Sequence, residues 1–129
     1  MTAAQQTVLV VEDTANLRRL VAYLLDRAGY KVLQAEDGRQ AIEVLKRHRP
    51  DLILLDVRMP GMDGFTFLEV IRGYPSAASI PVVMLTSLSG VRDLDRAMAL
   101  GVVDYLTKPV DPRTLLTKVK RIIEDTPSE

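Results

Sequence analysis

The sequence predicts an α/β fold, a three-layer sandwich in which helices cover both faces of a five-stranded parallel sheet. Three observations carry this. Short branched apolar runs recur at Val8-Leu9-Val10-Val11, Leu52-Ile53-Leu54-Leu55 and Pro81-Val82-Val83-Met84-Leu85, the pattern of strands buried on both faces. Between them lie stretches whose apolar residues return every three or four positions, the period of a helix facing a core. The links are short and marked by Gly or Pro, so right-handed crossovers place helices on both sides of the sheet.

The elements follow in order. The first run ends in Glu12-Asp13. From Thr14 the residues Leu17, Leu20, Val21, Leu24, Leu25 and Ala28 form one helical face, stopped by Gly29. Residues 31–35 are a brief strand. A second helix starts at Gly38, turns Ala41, Ile42 and Leu45 inward, and is closed by Pro50. The Leu52 run follows and exits in Asp56. Residues 57–64 form a loop by their Pro and Gly content, and residues 65–72 a short helix. Pro75 and Ser76 mark a surface connection. The fourth strand carries Pro81 at its first position, where a missing donor is tolerated, and ends in Thr86-Ser87. A helix containing Leu94, Ala97, Met98 and Leu100 stops at Gly101. Residues 104–107 form the fifth strand, which exits into Lys108-Pro109. Asp111-Pro112 caps and opens a last helix with Leu115, Leu116, Val119, Ile122 and Ile123 inward. Polar tails at about residues 1–6 and 126–129 flank a single domain, 1–129.

Composition narrows the function classes. With 129 residues, 47% of them hydrophobic, the chain suffices for one core burying about two thirds of the unfolded surface. Lys plus Arg equals Asp plus Glu at 17 each, and neither sign clusters strongly, so nucleic acid is not expected as a direct partner. Zero cysteines exclude disulfides and thiolate chemistry. No apolar run approaches the ~18 residues of a membrane span, and the start has neither the basic nor the apolar part of a signal peptide. A soluble, cytoplasmic protein is expected.

Parallel strands share an exit edge, and in such sheets the ligand crevice lies outside their carboxyl ends. Glu12, Asp13, Asp56, Thr86 and Lys108 all stand at exits. If strands one and three are neighbours, three carboxylates lie close together, and a divalent cation with Lys108 brings them to neutrality. All-oxygen ligands suit Mg²⁺. A carboxylate acts as a nucleophile toward phosphorus when the incoming charge is neutralised and held in line. Asp56 is then the attacking group, Lys108 and Mg²⁺ bind phosphoryl oxygens, and Thr86 donates its hydroxyl.

These residues carry a resemblance. Glu12-Asp13, Asp56 followed by Met59-Pro60-Gly61-Met62-Asp63-Gly64, Thr86-Ser87, and Asp104-Tyr105-Leu106-Thr107-Lys108-Pro109 resemble the receiver domain of bacterial two-component response regulators, of the single-domain type similar to chemotaxis regulators. The likeness runs from Val8 to about Ile123. It implies a flavodoxin-like, doubly wound sandwich with strand order 2-1-3-4-5 and five helices. It also implies that Asp56 is the phosphoacceptor, supplied by a histidine kinase or histidine phosphotransfer protein. Mg²⁺ would be held by Asp13, Asp56 and the backbone carbonyl of Arg58, with Glu12 assisting through water. Thr86 and Tyr105 would form a switch that changes the face made by helix 4, strand 5 and helix 5, and the bond to Pro109 would be cis. A monomer, or a weak homodimer formed on phosphorylation, is expected, with a downstream protein as output. Two departures stand out. Glu12 replaces the commoner Asp and reaches one methylene further, which leaves open whether it touches the metal. Arg58 places a long cation two positions after the acceptor, where it bears on the lifetime of the phosphoryl group.

Other readings compete. A non-enzymatic phosphorylation switch is the first. A phosphohydrolase with an aspartyl nucleophile wants a second acid two residues later, where Arg58 stands. A third reading is the truncated input domain of a DNA-binding transcription factor, and a fourth a scaffold that is never phosphorylated. His48, among Lys46, Arg47 and Arg49, reads as a plain surface residue, and Leu17 and Leu20 read mostly as core.

Overall fold

The computed structural model describes residues 5–59, 61–87 and 94–125. Ten elements alternate along it: β1 (Thr7–Val11), α1 (Ala15–Arg27), β2 (Lys31–Ala35), α2 (Gly38–Leu45), β3 (Leu52–Asp56), α3 (Gly64–Arg72), β4 (Val82–Thr86), α4 (Leu94–Ala99), β5 (Val102–Thr107) and α5 (Pro112–Asp125). All strand pairs are parallel, in the order β2-β1-β3-β4-β5. The expected architecture is the observed one. Of the expected tails, Gln5 and Gln6 are exposed, while residues 1–4 and 126–129 lie outside the described residues, as does Pro60.

The strand pattern follows from side-chain alternation. Val8, Val10, Leu52, Leu54, Val83 and Leu85 point to one face and pack with Val21 and Leu25 of α1 and Leu115 and Val119 of α5. Leu9, Val11, Ile53, Leu55, Val82 and Met84 point to the other and meet Ala41 of α2, Phe67, Leu68 and Ile71 of α3, and Ala97 of α4. Every residue from Leu52 to Leu55 is fully buried. Full burial of a side chain of this size contributes about 1.5–3 kcal/mol, so β1 and β3 are firmly held and fix the positions of the acids at their ends.

Two expectations are corrected. Leu20, read as mostly core, is 48% exposed. The fifth strand begins at Val102, not Asp104. Its register slips between Val82 and Val83, pairing Val102 with Val82 and Asp104 with Val83. Val103 is the extra residue of this bulge, and it stands 51% exposed.

Arg72, at the end of α3, joins the far edge of the sheet to two connections. Its guanidinium donates to the carbonyls of Leu100 (2.8 Å), Ala77 (3.4 Å), Ala78 (2.9 Å), Ile80 (3.2 Å) and Gly101 (3.3 Å). Gly101, with φ +91, lets the chain turn from α4 into β5, and a Cβ there would meet the Arg72 guanidinium at 2.8 Å.

Candidate functional site

The site grows out of the register of β1 and β3. Val8 pairs with Leu52 and Val10 with Leu54, and one further step sets Glu12 beside Asp56 on the face that α1 and α5 cover. Lys108 follows β5 two residues after Leu106, whose side chain packs on that same face. Its N–H donates to the Thr86 carbonyl at 2.8 Å, extending the β4–β5 ladder past the strand ends. Parallel pairing therefore delivers the acids and the ammonium to one place.

Glu12, Asp13 and Asp56 each offer a carboxylate oxygen, all within 4.8 Å of one another. Glu12 and Asp56 are buried, at 0% and 3% exposure, and Asp13 is exposed. Lys108 Nζ lies 2.9 Å from Glu12 Oε1 and 3.3 Å from Asp56 Oδ1. The alignment at Glu12 Oε1 is poor: that buried oxygen accepts no well-directed hydrogen bond despite the short distance. Its other oxygen accepts from Thr14 N at 3.0 Å, and Arg18 Nη1 holds the Glu12 carbonyl at 2.9 Å. Asp56 Oδ1 also accepts from Arg58 N at 3.1 Å. The loop between is tight: Gly64 N donates to the Val57 carbonyl at 2.9 Å, and a Cβ at Gly64 would stand 2.6 Å from Val57 Cα.

Burial pushes the Asp56 carboxyl up to about 7, the Glu12 charge adding to the rise and the Arg58 N–H and Lys108 opposing it. For Asp13, burial again favours the neutral form, yet hydrogen bonds with Glu12 and Asp56 outweigh it and hold the group below its ordinary value. Burial works against the Lys108 ammonium, but Glu12 and Asp56 raise it above the usual lysine range. Three clustered acids against one cation leave negative charge to be matched. The donor set is all oxygen, with one lobe open at Asp13, which fits a hard divalent ion such as Mg²⁺.

A pH dependence follows. The folded-state value of Asp56, about 7 against an ordinary 3.8, means that the native protein binds this proton more tightly than the unfolded chain. Its contribution to stability is complete below pH 3.8 and is lost as pH rises through 7. In EDTA, stability from guanidinium unfolding should therefore fall by a few kcal/mol between pH 4 and 8 on account of Asp56. Asp56→Asn should flatten that fall and exceed the wild type at pH 8. Coincident pH profiles for the two proteins would contradict it.

The remaining predicted residues are less engaged. Thr86 is 3% exposed, and its hydroxyl donates to the Ser87 carbonyl at 3.2 Å. Tyr105 is half-buried against the α2–α4 side of the core. The Lys108–Pro109 bond is cis. Arg58 and His48 are exposed. Sequence reasoning missed the partners around Tyr105: its N–H donates to Asp104 Oδ1 at 2.7 Å and its carbonyl accepts from Lys118 Nζ at 2.7 Å. An acid beside the aromatic, and a cation on the following helix, was the only available signal.

Residues 8–120 match the family model of the response regulator receiver domain. The phosphate regulon transcriptional regulatory protein PhoB of Escherichia coli is 38% identical over 116 residues, covering 90% of this chain and 51% of that protein. The chain spans about half the length of the transcriptional regulators it matches. The chemotaxis response regulator CheY4 of Vibrio cholerae superposes with a TM-score of 0.86 at 35% identity, over 92% of this chain and 99% of that one. The receiver domain of the Pseudomonas aeruginosa sensor histidine kinase PA1611, solved with a magnesium ion coordinated in its active site cleft, gives 0.85 at 32% identity, over 95% and 100%.

Proposed function

The chain belongs to the response regulator receiver domain family, and from that premise we propose that this protein acts in the cytoplasm, where Asp56 accepts a phosphoryl group from a phosphohistidine of a sensor histidine kinase or histidine phosphotransfer protein. What carries the reading is the convergence of Glu12, Asp13, Asp56 and Lys108 at one edge. In the transfer, an Asp56 carboxylate oxygen forms the O–P bond as the P–N bond to the donor histidine breaks. Asp13, Asp56 and the Arg58 carbonyl would hold Mg²⁺, with Glu12 acting through water. The bound ion would supply positive charge to the phosphoryl oxygens. Lys108 leaves its shared place between Glu12 and Asp56 to bind a phosphoryl oxygen, and the Thr86 hydroxyl turns from the Ser87 carbonyl to another. Tyr105 then turns inward, altering the face of α4, β5 and α5 for a partner protein. Residues 1–129 act as one receiver unit.

Receiver domains are regulatory signalling domains, and Arg58 supports a regulatory role for this one. A phosphohydrolase would place there an acid to protonate its leaving group. The exposed guanidinium does not release a proton near neutral pH and cannot act as that acid. Beryllofluoride, a phosphoryl mimic, added with Mg²⁺ should shift the amide signals of Thr86 and Tyr105, and added without Mg²⁺ should leave them in place. Equal shifts in both conditions would remove the metal from the scheme.

A further inference from the structure

β5 is an edge strand, so the peptide groups on its outer side have no neighbouring strand to bond. At Tyr105 both outward groups are taken by side chains. Asp104 Oδ1 accepts the N–H at 2.7 Å, and Lys118 Nζ reaches from α5 to the carbonyl at 2.7 Å. Lys118 also pairs with Asp104 Oδ1 at 3.1 Å, and its ammonium sits 5.1 Å from the centre of the Tyr105 ring. Arg121 secures Asp104 from the other oxygen at 3.3 Å. One lysine thus holds the backbone and ring of Tyr105 together with the acid of the position before it. Leu115 and Val119 on either side of it are fully buried, so the helix that carries it is fixed.

We propose that Lys118 is a positioning residue that holds the Tyr105 ring at the outer edge of β5 and thereby sets how readily the switch is thrown. This rests on the reading of Tyr105 as a switch. A ring that turns inward leaves the ammonium, so the contact between ring and cation belongs to the resting form alone. An interaction made in one state only biases the balance toward that state. Lys118 therefore restrains activation, although it lies on a different element from every residue that meets the phosphoryl group.

The test compares wild type, Lys118→Met and Lys118→Arg by nuclear magnetic resonance of the Tyr105 ring, first without and then with beryllofluoride and Mg²⁺. Methionine keeps the length of the stem and removes the charge, and Arg121 still pairs with Asp104, so the variant folds. In the unphosphorylated protein, Lys118→Met should move the Tyr105 ring signals from their wild-type positions and tighten beryllofluoride binding about fivefold, the size of a contact of this kind between a cation and a ring. Lys118→Arg should stay near wild type in both. Ring signals of Lys118→Met that coincide with wild type in the free protein would overturn the positioning role. Failure of the underlying reading looks different: the wild-type Tyr105 ring would not respond to beryllofluoride, whatever the variants do.

Discussion

Asp56→Ala is expected to abolish Mg²⁺-dependent labelling of the protein by acetyl phosphate, a loss of at least about a hundredfold. The other two acids are poor substitutes for geometric reasons. Glu12 is fully buried, with one oxygen committed to Thr14 N and the other facing Lys108. Asp13 is exposed and held below its ordinary value, so it stays charged but has no strand fixing it opposite the ammonium. Asp56 alone combines a rigid strand end with the Arg58 N–H at 3.1 Å and Lys108 at 3.3 Å. Intact-mass measurement with and without Mg²⁺ checks this. Label persisting on the variant would reassign the acceptor to Glu12 or Asp13.

Lys108→Ala is expected to destabilise the metal-free protein at pH 8 by about 3 kcal/mol, the cost of leaving buried charge without its partner. The buried oxygens of Glu12 and Asp56 share this one ammonium, so its removal strands both. Mg²⁺ should restore part of the loss, because a divalent ion neutralises the same acids. Guanidinium unfolding of wild type and variant, in EDTA and in excess Mg²⁺, measures both effects. A variant as stable as wild type in EDTA would show that the acids relieve their charge without Lys108.

The layers and the site edge were legible because each depends on local pattern. Short branched runs mark strands buried on both faces, and polar residues at their ends must face the exit. Leu20 shows where pattern ends. In a helix each residue turns about 100° from the last, so Leu20 stands that far from the buried Val21. It lies on the margin of the apolar stripe, and only the reach of the neighbouring layer decides which side of it is covered. The start of β5 was hidden by its bulge, which breaks alternation at Val103. That Glu12, Asp13, Asp56 and Lys108 meet at one edge was legible, but their pairings were not. That Glu12 spends its oxygens on Thr14 and Lys108, or that Lys118 reaches Tyr105, depends on distances between elements far apart in sequence.

Arg72 has a mechanical consequence. α4 runs from the exit side of the sheet to the entry side, where Leu100 and Gly101 are tied to the guanidinium together with Ala77, Ala78 and Ile80. The turn that follows α4 is thereby anchored to the end of α3 and to the 77–80 connection through a single side chain, so Arg72→Ala would loosen all three attachments at once.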